Sequence, residues 1–570
     1  MSNIDRGRTD LADWVAAQPD NFYRADVRFQ RTLERLGGAV LLDRIGARLD
    51  TLGAECATTL DAASQVNNRP HNLPRLERYD GIGRRIEAIE HHPSYHDCGR
   101  VIYESGMMGE YAEPGGFMRS LAMFYLTSMC GEAGHNCPVA CTAGIIKSLQ
   151  SLGTDALQQK YLPGLYSDVY DERLDGAQFL TEVQGGSDVG QNATRAVKHD
   201  DGTWRIHGEK WFCSNADADL ILMTARFDDD VDGTRGLGLF LVPRALEDGA
   251  PNDYVVRRLK DKLGTRSMPS GEIDFVGAQA WALGLVEDGF KNMMRFVINT
   301  SRVYNAIAVA GAARRAMFVA RGYAQHRRAF GHRIADFSLV QETVAELVAE
   351  STAITVGTFG LIAMFDAWEA GALDDAGQAV LRMTNNINKM RTAKGATANT
   401  LRGIEVLGGN GAIESFSVIP RLHRDMIVCE NWEGTHNTLT AQVLRDMHRY
   451  RFHEAWLADV RARFGALDAP PLADLRAFAL GRVDTLAGAL DEVLAMPPQA
   501  ASLRMRPLMD DMGRIWQLAA LCRQAEHELA KHNDDEALVI AKYFAHHWLA
   551  GPGEALVEDE LAVIARLAVG

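Results

Sequence analysis

The spacing of apolar residues changes character three times along the 570-residue chain. Residues 1 to about 173 carry Ala, Leu and Met at helical spacing, with breaks at NRPHNLPR and YAEPGG. From about 174 to 290 the period shortens towards two, which predicts strands. The predicted strands are AQFLTE, ATRAVKH, TWRIHG, LILMTARF, GLGLFLVP, YVVRRL and GEIDFVG. KHDDGTW carries an Asp-Gly hairpin signal between two of them.

After Gly289 the helical period returns and persists. One amphipathic face is traced at the spacing of three to four by Val340, Val344, Leu347, Ser351 and Ile354. RRAMFVARGYAQHRRAF shows a similar pattern, and the last helical segment begins near HRYRFHEAW and contains the loop AMPPQAAS.

The order helix, strands, helix predicts an α+β fold, with a small β domain set between helical regions rather than alternating βαβ units. A chain of this length exceeds what one hydrophobic core usually organises. We therefore predict a helical N-terminal domain (1–173), a β domain (174–290), a helical bundle (291–449) and an additional helical C-terminal region (450–570).

Composition indicates a soluble globular protein, at 47% hydrophobic and 24% charged residues. No apolar run is long enough to predict a membrane span, and the N-terminus lacks the apolar segment of a secretion signal. Eight scattered cysteines do not form a disulfide framework, so we expect a reducing compartment, the cytoplasm. Cys137 and Cys141 lie near His135, but this spacing matches no zinc pattern, and we expect buried thiols and no metal.

The net charge of −15 disfavours a broad nucleic-acid surface, although a local basic patch stays open. No G-x-G-x-x-G follows a predicted strand, so the usual dinucleotide fingerprint is missing. GGNG at 408–411 lies in a helical context, where a helix end explains its glycines. Any nucleotide cofactor must therefore be held in another way.

Several separated motifs together resemble the acyl-CoA dehydrogenase family. They are FLTEVQGGSDV (179–189), GEKWFCSN (208–215), RLKDKLGTRSMPSGEIDF (258–275), HRRAFG (326–331), EVLGGNG (405–411) and WEGTHN (432–437). The form of QGGSDV and KDKLGTRS is similar to the AidB-like branch of that family. The resemblance implies an acyl-CoA dehydrogenase-like fold, with a helical N-terminal domain, a central β-sandwich or barrel and a four-helix bundle, followed here by the extra helical region. It also implies FAD as cofactor and oxidation of the Cα–Cβ bond of an acyl-CoA thioester.

Glu433 matches the catalytic base in the family's E-G-T segment. An α-proton beside a thioester is a weak acid, so such a base must be held against it in a dry pocket that raises a carboxylate's pKa. The resemblance implies that the backbone N–H of Glu433 also donates to the thioester carbonyl, and Gly434 would let that backbone come close to the substrate. The alternative is that Glu433 merely caps the next helix.

The resemblance places the flavin ring beside Thr181, with the backbones of Phe179 and Leu180. On the paired strand the aromatic neighbour of the ring falls on Phe212, and the next hydroxyl falls on Ser214. The implied flavin site also includes Gly186, Ser187 and Cys213. The alternative for Phe212 and Ser214 is an ordinary β-core aromatic and a turn serine.

Arg327 and Phe330 resemble residues that reach the FAD of a neighbouring subunit, which implies a homo-oligomer, either a tetramer or a dimer. Arg328 is an alternative to Arg327, and a solvated basic face is an alternative to both. The remaining implied cofactor residues are Gln341, Glu405, Gly408, Gly409, Thr435 and Asn437. Glu405 and Asn437 stand where relatives often have Gln, which leaves the adenosine end of the site open.

The implied substrate residues are Ser187, Arg302 and Gly434. Ser301 holds a hydroxyl where some branches of the family carry their carboxylate, so Glu433 is the sole candidate base. The predicted function is an FAD-dependent acyl-CoA dehydrogenase that passes electrons to an electron-transferring flavoprotein.

Two other functions stay open. The first is an AidB-like flavoprotein with a DNA-binding role in the alkylation response. In that branch, DNA binding resembles a property of a basic C-terminal region, whereas the C-terminal region here is acidic on balance. An acyl-CoA oxidase is the other, because no motif reports oxygen access. The acyl chain length also stays open.

Overall fold

The computed structural model describes residues 3–551, 556–557 and 559–569. Contacts between Cα atoms divide the chain into two compact units. The helical unit comprises Met1–Thr58, Phe117–Gly131 and Asn305–Gly570, and the sheet unit comprises Thr59–Gly116 and Glu132–Tyr304. Both units are therefore built from segments that are far apart in the sequence.

Within the described residues the chain forms nineteen α-helices and eleven strands. The helices are α1 (Asn3–Ala16), α2 (Phe22–Ala25), α3 (Val27–Glu55), α4 (Asp61–Asn67), α5 (Pro93–Glu104), α6 (Gly116–Ser128), α7 (Ala133–Leu152), α8 (Asp155–Tyr166), α9 (Gly289–Asn292), α10 (Asn299–His326), α11 (Ser338–Glu369), α12 (Asp375–Leu407), α13 (Ile419–Asn431), α14 (His436–Tyr450), α15 (Phe452–Gly465), α16 (Ala473–Leu494), α17 (Pro498–His532), α18 (Glu536–Trp548) and α19 (Glu560–Val569). The strands are β1 (Arg75–Tyr79), β2 (Arg85–Glu90), β3 (Gly176–Phe179), β4 (Arg195–Lys198), β5 (Trp204–Ser214), β6 (Leu220–Arg226), β7 (Leu237–Pro243), β8 (Tyr254–Leu259), β9 (Ser270–Ala282), β10 (Arg328–Ala329) and β11 (His332–Arg333).

The seven strands predicted between 174 and 290 are confirmed as β3 to β9, which form one sheet in the sheet unit. Strand β6 pairs with β4 and β7, β7 with β9, β9 with β5, and β5 with β4, so these five strands close on themselves. The Asp-Gly hairpin is also confirmed, since Lys198 of β4 pairs with Trp204 of β5. The enclosed core contains Phe179, Ile206 and Phe275, all buried.

Two segments differ from the predicted helical pattern. Strands β1 and β2 form an antiparallel hairpin inside the region 1–173. Their side chains are mostly exposed, so the segment has no buried face whose period would have marked it. In RRAMFVARGYAQHRRAF the helix ends at His326, and Arg328 pairs across a tight turn with Arg333. A positive φ at Phe330 and Gly331 makes this turn, which an α-helix cannot accommodate.

The core of the helical unit is formed by α11 and α12, which pack against each other and against α17. On α11, Val344, Leu347, Ser351 and Ile354 are buried as predicted and Val340 is half-buried, but the predicted amphipathic character is wrong, because every residue from 347 to 359 is buried. Helix α11 is apolar enough to cross a membrane by length and composition, with a mean hydropathy of 1.5, but 89% of its apolar stretch is buried inside the protein. The region after residue 450 is helical as predicted, and its helix α15 packs on α12. The predicted loop AMPPQAAS is shorter than expected, since α17 already begins at Pro498.

Candidate functional site

Glu433 lies in a short loop between two helices of the helical unit. Helix α13 ends at Asn431 and α14 begins at His436. Glu433 has φ +56° and Gly434 has φ +105°, so the chain reverses through two left-handed residues. A non-glycine residue with positive φ is uncommon and is found most often at functional sites and tight turns. The cap of α14 is the Thr435 side chain, which accepts from the backbone N–H of Thr438, so Glu433 is not the helix cap.

Lys389 of α12 is hydrogen-bonded to the backbone around this loop. Its side chain is fully buried, and Nζ donates to the backbone carbonyls of Glu430 at 2.9 Å and Gly434 at 3.0 Å. These two carbonyls flank Glu433 in sequence, so one cation fixes the backbone on both sides of it. The sequence did not single out Lys389, because a lysine inside a helix usually marks a solvated face.

The neighbouring carboxylate, Glu430, is already engaged. Its Oε2 lies 2.9 Å from Nε2 of His436. The hydrogen bond with His436 lowers the pKa of Glu430 below its ordinary value. A carboxylate stabilised in its charged form is a weaker base, so the geometry leaves Glu433 as the base candidate in this loop.

In the sheet unit, the predicted flavin-facing segment follows β3 directly. The carbonyl of Leu180 accepts from Asn192 Nδ2 at 2.8 Å, and the carbonyl of Thr181 accepts from the backbone N–H of Trp211 at 2.9 Å. Gly186 lies close to Thr181, since a Cβ added at Gly186 would stand 2.8 Å from the threonine Oγ1. Any side chain at position 186 would therefore displace the hydroxyl that the resemblance assigns to the flavin ring.

A buried ion pair holds the same segment. Nζ of Lys210 lies 2.7 Å from Oε1 of Glu182, and the two residues are 1% and 2% exposed. Oε2 of Glu182 also accepts from the backbone N–H of Ala193 at 2.6 Å, and Lys210 donates to the carbonyl of Leu180 at 3.2 Å. Burial alone would raise the pKa of Glu182, but Lys210 and the further donors outweigh it and lower that pKa.

Side chains alternate along the end of β5. Phe212 is 51% exposed, and Nζ of Lys260 lies 4.8 Å from its ring centre and 3.4 Å from that of Trp211. Cys213 points the other way into the sheet core, where burial raises the pKa of its thiol. Its side chain is thus directed away from the face of Phe212, and any contact of Cys213 with a cofactor on that face is limited to its backbone. Ser214 returns to the partly exposed face, with its Oγ 3.4 Å from that of Ser270.

Arg302, predicted to line the substrate cavity, is a buried residue of the sheet unit. Its neighbour Ser301 donates to Oε1 of Gln178 at 3.0 Å, so this hydroxyl is tied to β3. Ser187, the other predicted substrate residue in this unit, is exposed in the loop after Gly186. The hydrogen bond from Ser301 to Gln178 agrees with a structural role for Ser301 and not with the role of a base.

The predicted nucleotide-binding residues of the helical unit are mostly exposed. Phe330 is 93% exposed at the tip of the turn between β10 and β11, and Arg327 precedes that turn. Glu405, Gly408, Gly409 and Asn437 are exposed as well. Gln341 is half-buried and donates to the carbonyl of Ala335 at 2.9 Å, which fixes the start of α11.

One contact links two of these segments. Asn410, in the GGNG loop, donates to the hydroxyl of Tyr323 at 3.1 Å. The carbonyl of Tyr323 accepts from the backbone N–H of Arg327 at 2.8 Å. The structure therefore brings the end of α10, where Arg327 begins the exposed turn, next to the glycines that end α12. Gly408 ends that helix with φ +60°, as predicted from its helical context.

Sequence profiles of three protein domains match the chain. The acyl-CoA dehydrogenase middle domain matches residues 177–277, and the acyl-CoA dehydrogenase C-terminal domain matches residues 287–448. The N-terminal domain of the adaptive response protein AidB matches residues 15–172. The matched segments contain Thr181, Phe212 and Glu433, so the candidate residues fall inside the regions of similarity.

Individual proteins are similar over most of the chain. Acyl-CoA dehydrogenase family member 11 of Caenorhabditis elegans is 32% identical over 441 residues, which cover 75% of this chain and 70% of that protein. AidB of Escherichia coli K12 is 32% identical over 446 residues, which cover 75% of this chain and 78% of that protein. The crystal structure of C. elegans ACDH-11 in complex with C11-CoA superposes with a TM-score of 0.85 at 26% identity, covering 96% of this chain and 94% of that one.

Proposed function

Because the chain belongs to the acyl-CoA dehydrogenase family and carries the AidB-type N-terminal domain, we propose that it is an FAD-dependent dehydrogenase of an acyl-CoA thioester. The observation that carries the proposal is the loop of Glu433. It presents a carboxylate from a left-handed residue whose flanking carbonyls are both held by a buried lysine.

The residues present fit a flavin. An isoalloxazine ring needs an apolar wall and donors along its polar edge. Phe212 offers a half-exposed aromatic face, and Thr181 and Ser214 offer hydroxyls on segments tied together by the bond from Trp211 to Thr181. In the helical unit, the guanidinium of Arg327 is suited to a pyrophosphate. Among the described residues, no atom lies within 4 Å of a Cβ built at Gly409, which leaves its backbone open to a ligand.

We assign the chemistry of the chain's own residues as follows. The carboxylate of Glu433 removes the α-proton of the thioester and keeps it. The backbone N–H of Glu433 donates to the thioester carbonyl, where negative charge develops, and Gly434 leaves room for the substrate beside it. FAD held by Thr181, Phe212 and Ser214 would supply the acceptor for the β-hydrogen, which leaves the substrate as hydride. Lys389 fixes the loop so that the carboxylate and the N–H keep one geometry during the reaction.

The substrate is proposed to be an acyl-CoA, which is supported by the C11-CoA in the structurally similar C. elegans protein. The electron acceptor is proposed to be an electron-transferring flavoprotein in the cytoplasm. We also propose a homo-oligomer in which Arg327 and Phe330 reach the cofactor of a neighbouring subunit. Phe330 is 93% exposed in its own subunit, so its ring is available for such a contact.

The experiment is to mix the purified, FAD-loaded protein anaerobically with acyl-CoAs of different length and branching. Loss of the oxidised flavin absorbance with one class of thioester is the expected result, and it identifies the substrate. Oxygen consumption without an added acceptor would instead make the protein an acyl-CoA oxidase.

The match to the AidB N-terminal domain favours one second candidate, a DNA-linked role in the alkylation response. Retained FAD without bleaching by any thioester, together with salt-dependent retention of duplex DNA, would replace the dehydrogenase proposal by this one. The acidic balance of the chain argues against it.

A further inference from the structure

A cavity in the helical unit lies among helices other than α13 and α14, which flank the Glu433 loop. It has a volume of about 190 Å³ and is lined by residues of α3, α11, α15 and α17. Three arginines, Arg35, Arg463 and Arg523, share this cavity with apolar side chains that include Met364 and Trp516. A small cavity with three guanidinium groups is an unusual environment, because like charges repel when they are partly removed from water.

Arg463 and Arg523 each have a carboxylate of their own. Arg463 lies 2.6 Å from Asp459, and its guanidinium stacks 4.6 Å from the ring centre of Trp516. Arg523 lies 2.7 Å from Glu526. Each of these two positive charges is therefore balanced within the protein.

Arg35 has no such balance. Its Nε donates to the neutral amide oxygen of Gln524 at 2.7 Å, and no carboxylate among the described residues forms an ion pair with it. Its Nη2 is buried and makes no hydrogen bond within the described part of the chain. Burial, together with the positive charges of Arg523 and Arg463, lowers the pKa of Arg35 to about 10. The cavity is thus lined by one guanidinium whose positive charge has no counter-charge, an arrangement that costs free energy unless an anion balances it.

The side chains that line the cavity indicate which kind of anion fits it. Leu36, Ala363, Met364, Ala367 and Ala520 provide apolar surface beside the guanidinium groups. The volume of about 190 Å³ is enough for several water molecules, and therefore for a short-chain carboxylate. A planar carboxylate matches the two parallel N–H donors of an arginine, and a short hydrocarbon chain matches the apolar walls.

We propose that this cavity is a binding site for a small carboxylate with a short apolar chain, of about four carbons, whose carboxylate pairs with Arg35. The ligand carries one negative charge, which neutralises the uncompensated guanidinium. The site is separate from Glu433 and does not depend on the dehydrogenase chemistry.

The test is saturation-transfer NMR on the full-length protein, with butyrate as probe and butyramide as its neutral counterpart. We expect saturable transfer to butyrate and none to butyramide. Arg35→Gln, which removes the charge, should weaken butyrate binding by about 10- to 100-fold, the effect of losing a charged hydrogen bond. Ala363→Leu, which fills the cavity without altering charge, should abolish it.

The matched control is Arg461→Gln, which removes an arginine of α15 that pairs with the exposed Asp484. It should bind butyrate as the unsubstituted protein does. Equal transfer to butyramide, retention of binding in Arg35→Gln or Ala363→Leu, or no transfer to butyrate at all would each overturn the proposal. Flavin bleaching by acyl-CoA is recorded on the same samples, so a failure of the proposed function is recognised separately.

Discussion

Nζ of Lys389 lies 3.0 Å from the backbone carbonyl of Gly434, the residue that follows the candidate base. The same nitrogen donates to the carbonyl of Glu430, at the end of α13. The carbonyls at a helix C-terminus carry partial negative charge, so a buried cation is stabilised there. The position of Glu433 is thus set by a lysine from a helix about forty residues earlier in the chain, and not by local sequence alone.

Lys389→Met removes both hydrogen bonds and keeps a straight, mostly apolar side chain. We expect the rate of flavin reduction by acyl-CoA to fall on the order of 10- to 100-fold, because a small displacement of the base disrupts its alignment with the α-carbon. FAD absorbance should be retained. Stopped-flow absorbance measures both, with Lys394→Met as control, since Lys394 lies on the same helix and pairs with Asp510. Equal rates in the two variants would remove Lys389 from the positioning of the base.

Glu182→Gln leaves the buried ammonium of Lys210 without its counter-charge. Removing one partner of a buried pair costs about 3–5 kcal/mol, so we expect a clear fall in the denaturant midpoint of the sheet unit. The matched control is Glu209→Gln on the same strand as Lys210, where the exposed pair with Arg257 contributes about 1 kcal/mol or less. A midpoint change no larger than that of the control would show that Lys210 is not held by Glu182.

Asp175 makes a contribution to stability that should fall as pH rises through the acidic range, opposite in sign to that of carboxyl groups with lowered pKa such as Glu182. Burial raises the pKa of Asp175 to about 7, and the nearby Asp219 adds to this while Arg173 opposes it. Between its ordinary value near 3.8 and about 7, the folded state holds a proton that the unfolded state releases, so raising the pH favours unfolding. Asp175→Asn should flatten this dependence, as measured by urea unfolding across that range. A slope unchanged by the substitution would assign the effect to other groups.

Phe330→Ser tests the proposed contact with a neighbouring subunit. If the exposed ring covers a partner's cofactor, the variant should lose FAD more readily than the unsubstituted protein. Its oligomer should also dissociate at protein concentrations at which the unsubstituted oligomer stays intact. Light scattering after size exclusion and flavin absorbance report the two effects. Leu503→Ser is the control, because Leu503 is also an exposed apolar residue, at 81%, but lies on α17 and not in the turn between β10 and β11. Identical behaviour of both variants would contradict a role for Phe330 in assembly.

The sequence predicted β3 to β9 well, because their apolar residues either alternate, as in β4, or form short fully buried runs, as in β6 and β7. It failed for β1 and β2, whose side chains are mostly exposed and form no buried face. The family resemblance singled out Glu433 as the candidate base, but it does not point to Lys389 or to the pair of Glu182 and Lys210. Their roles depend on contacts between segments that are distant in the chain or on a buried charge, which residue spacing does not report.

The environment of Arg35 could not be predicted from the sequence either. In the sequence Arg35 is one of several arginines on α3 and resembles a solvated face. Only the packing of α3 against α11 and α17 removes its guanidinium from water and leaves it without a carboxylate. A charge that is unbalanced in three dimensions leaves no trace in a local pattern of charged residues.

The most direct test of the central claim is anaerobic flavin reduction by the preferred acyl-CoA in Glu433→Gln. The substitution keeps the shape of the side chain and removes its capacity to accept the α-proton, and Glu414→Gln, at an exposed site paired with Arg424, is the control for the change in charge. The account predicts that Glu433→Gln retains FAD and binds the thioester but reduces the flavin more slowly by several orders of magnitude, while Glu414→Gln reacts normally. Reduction of the flavin by Glu433→Gln at the rate of the control would contradict the assignment of Glu433 as the base.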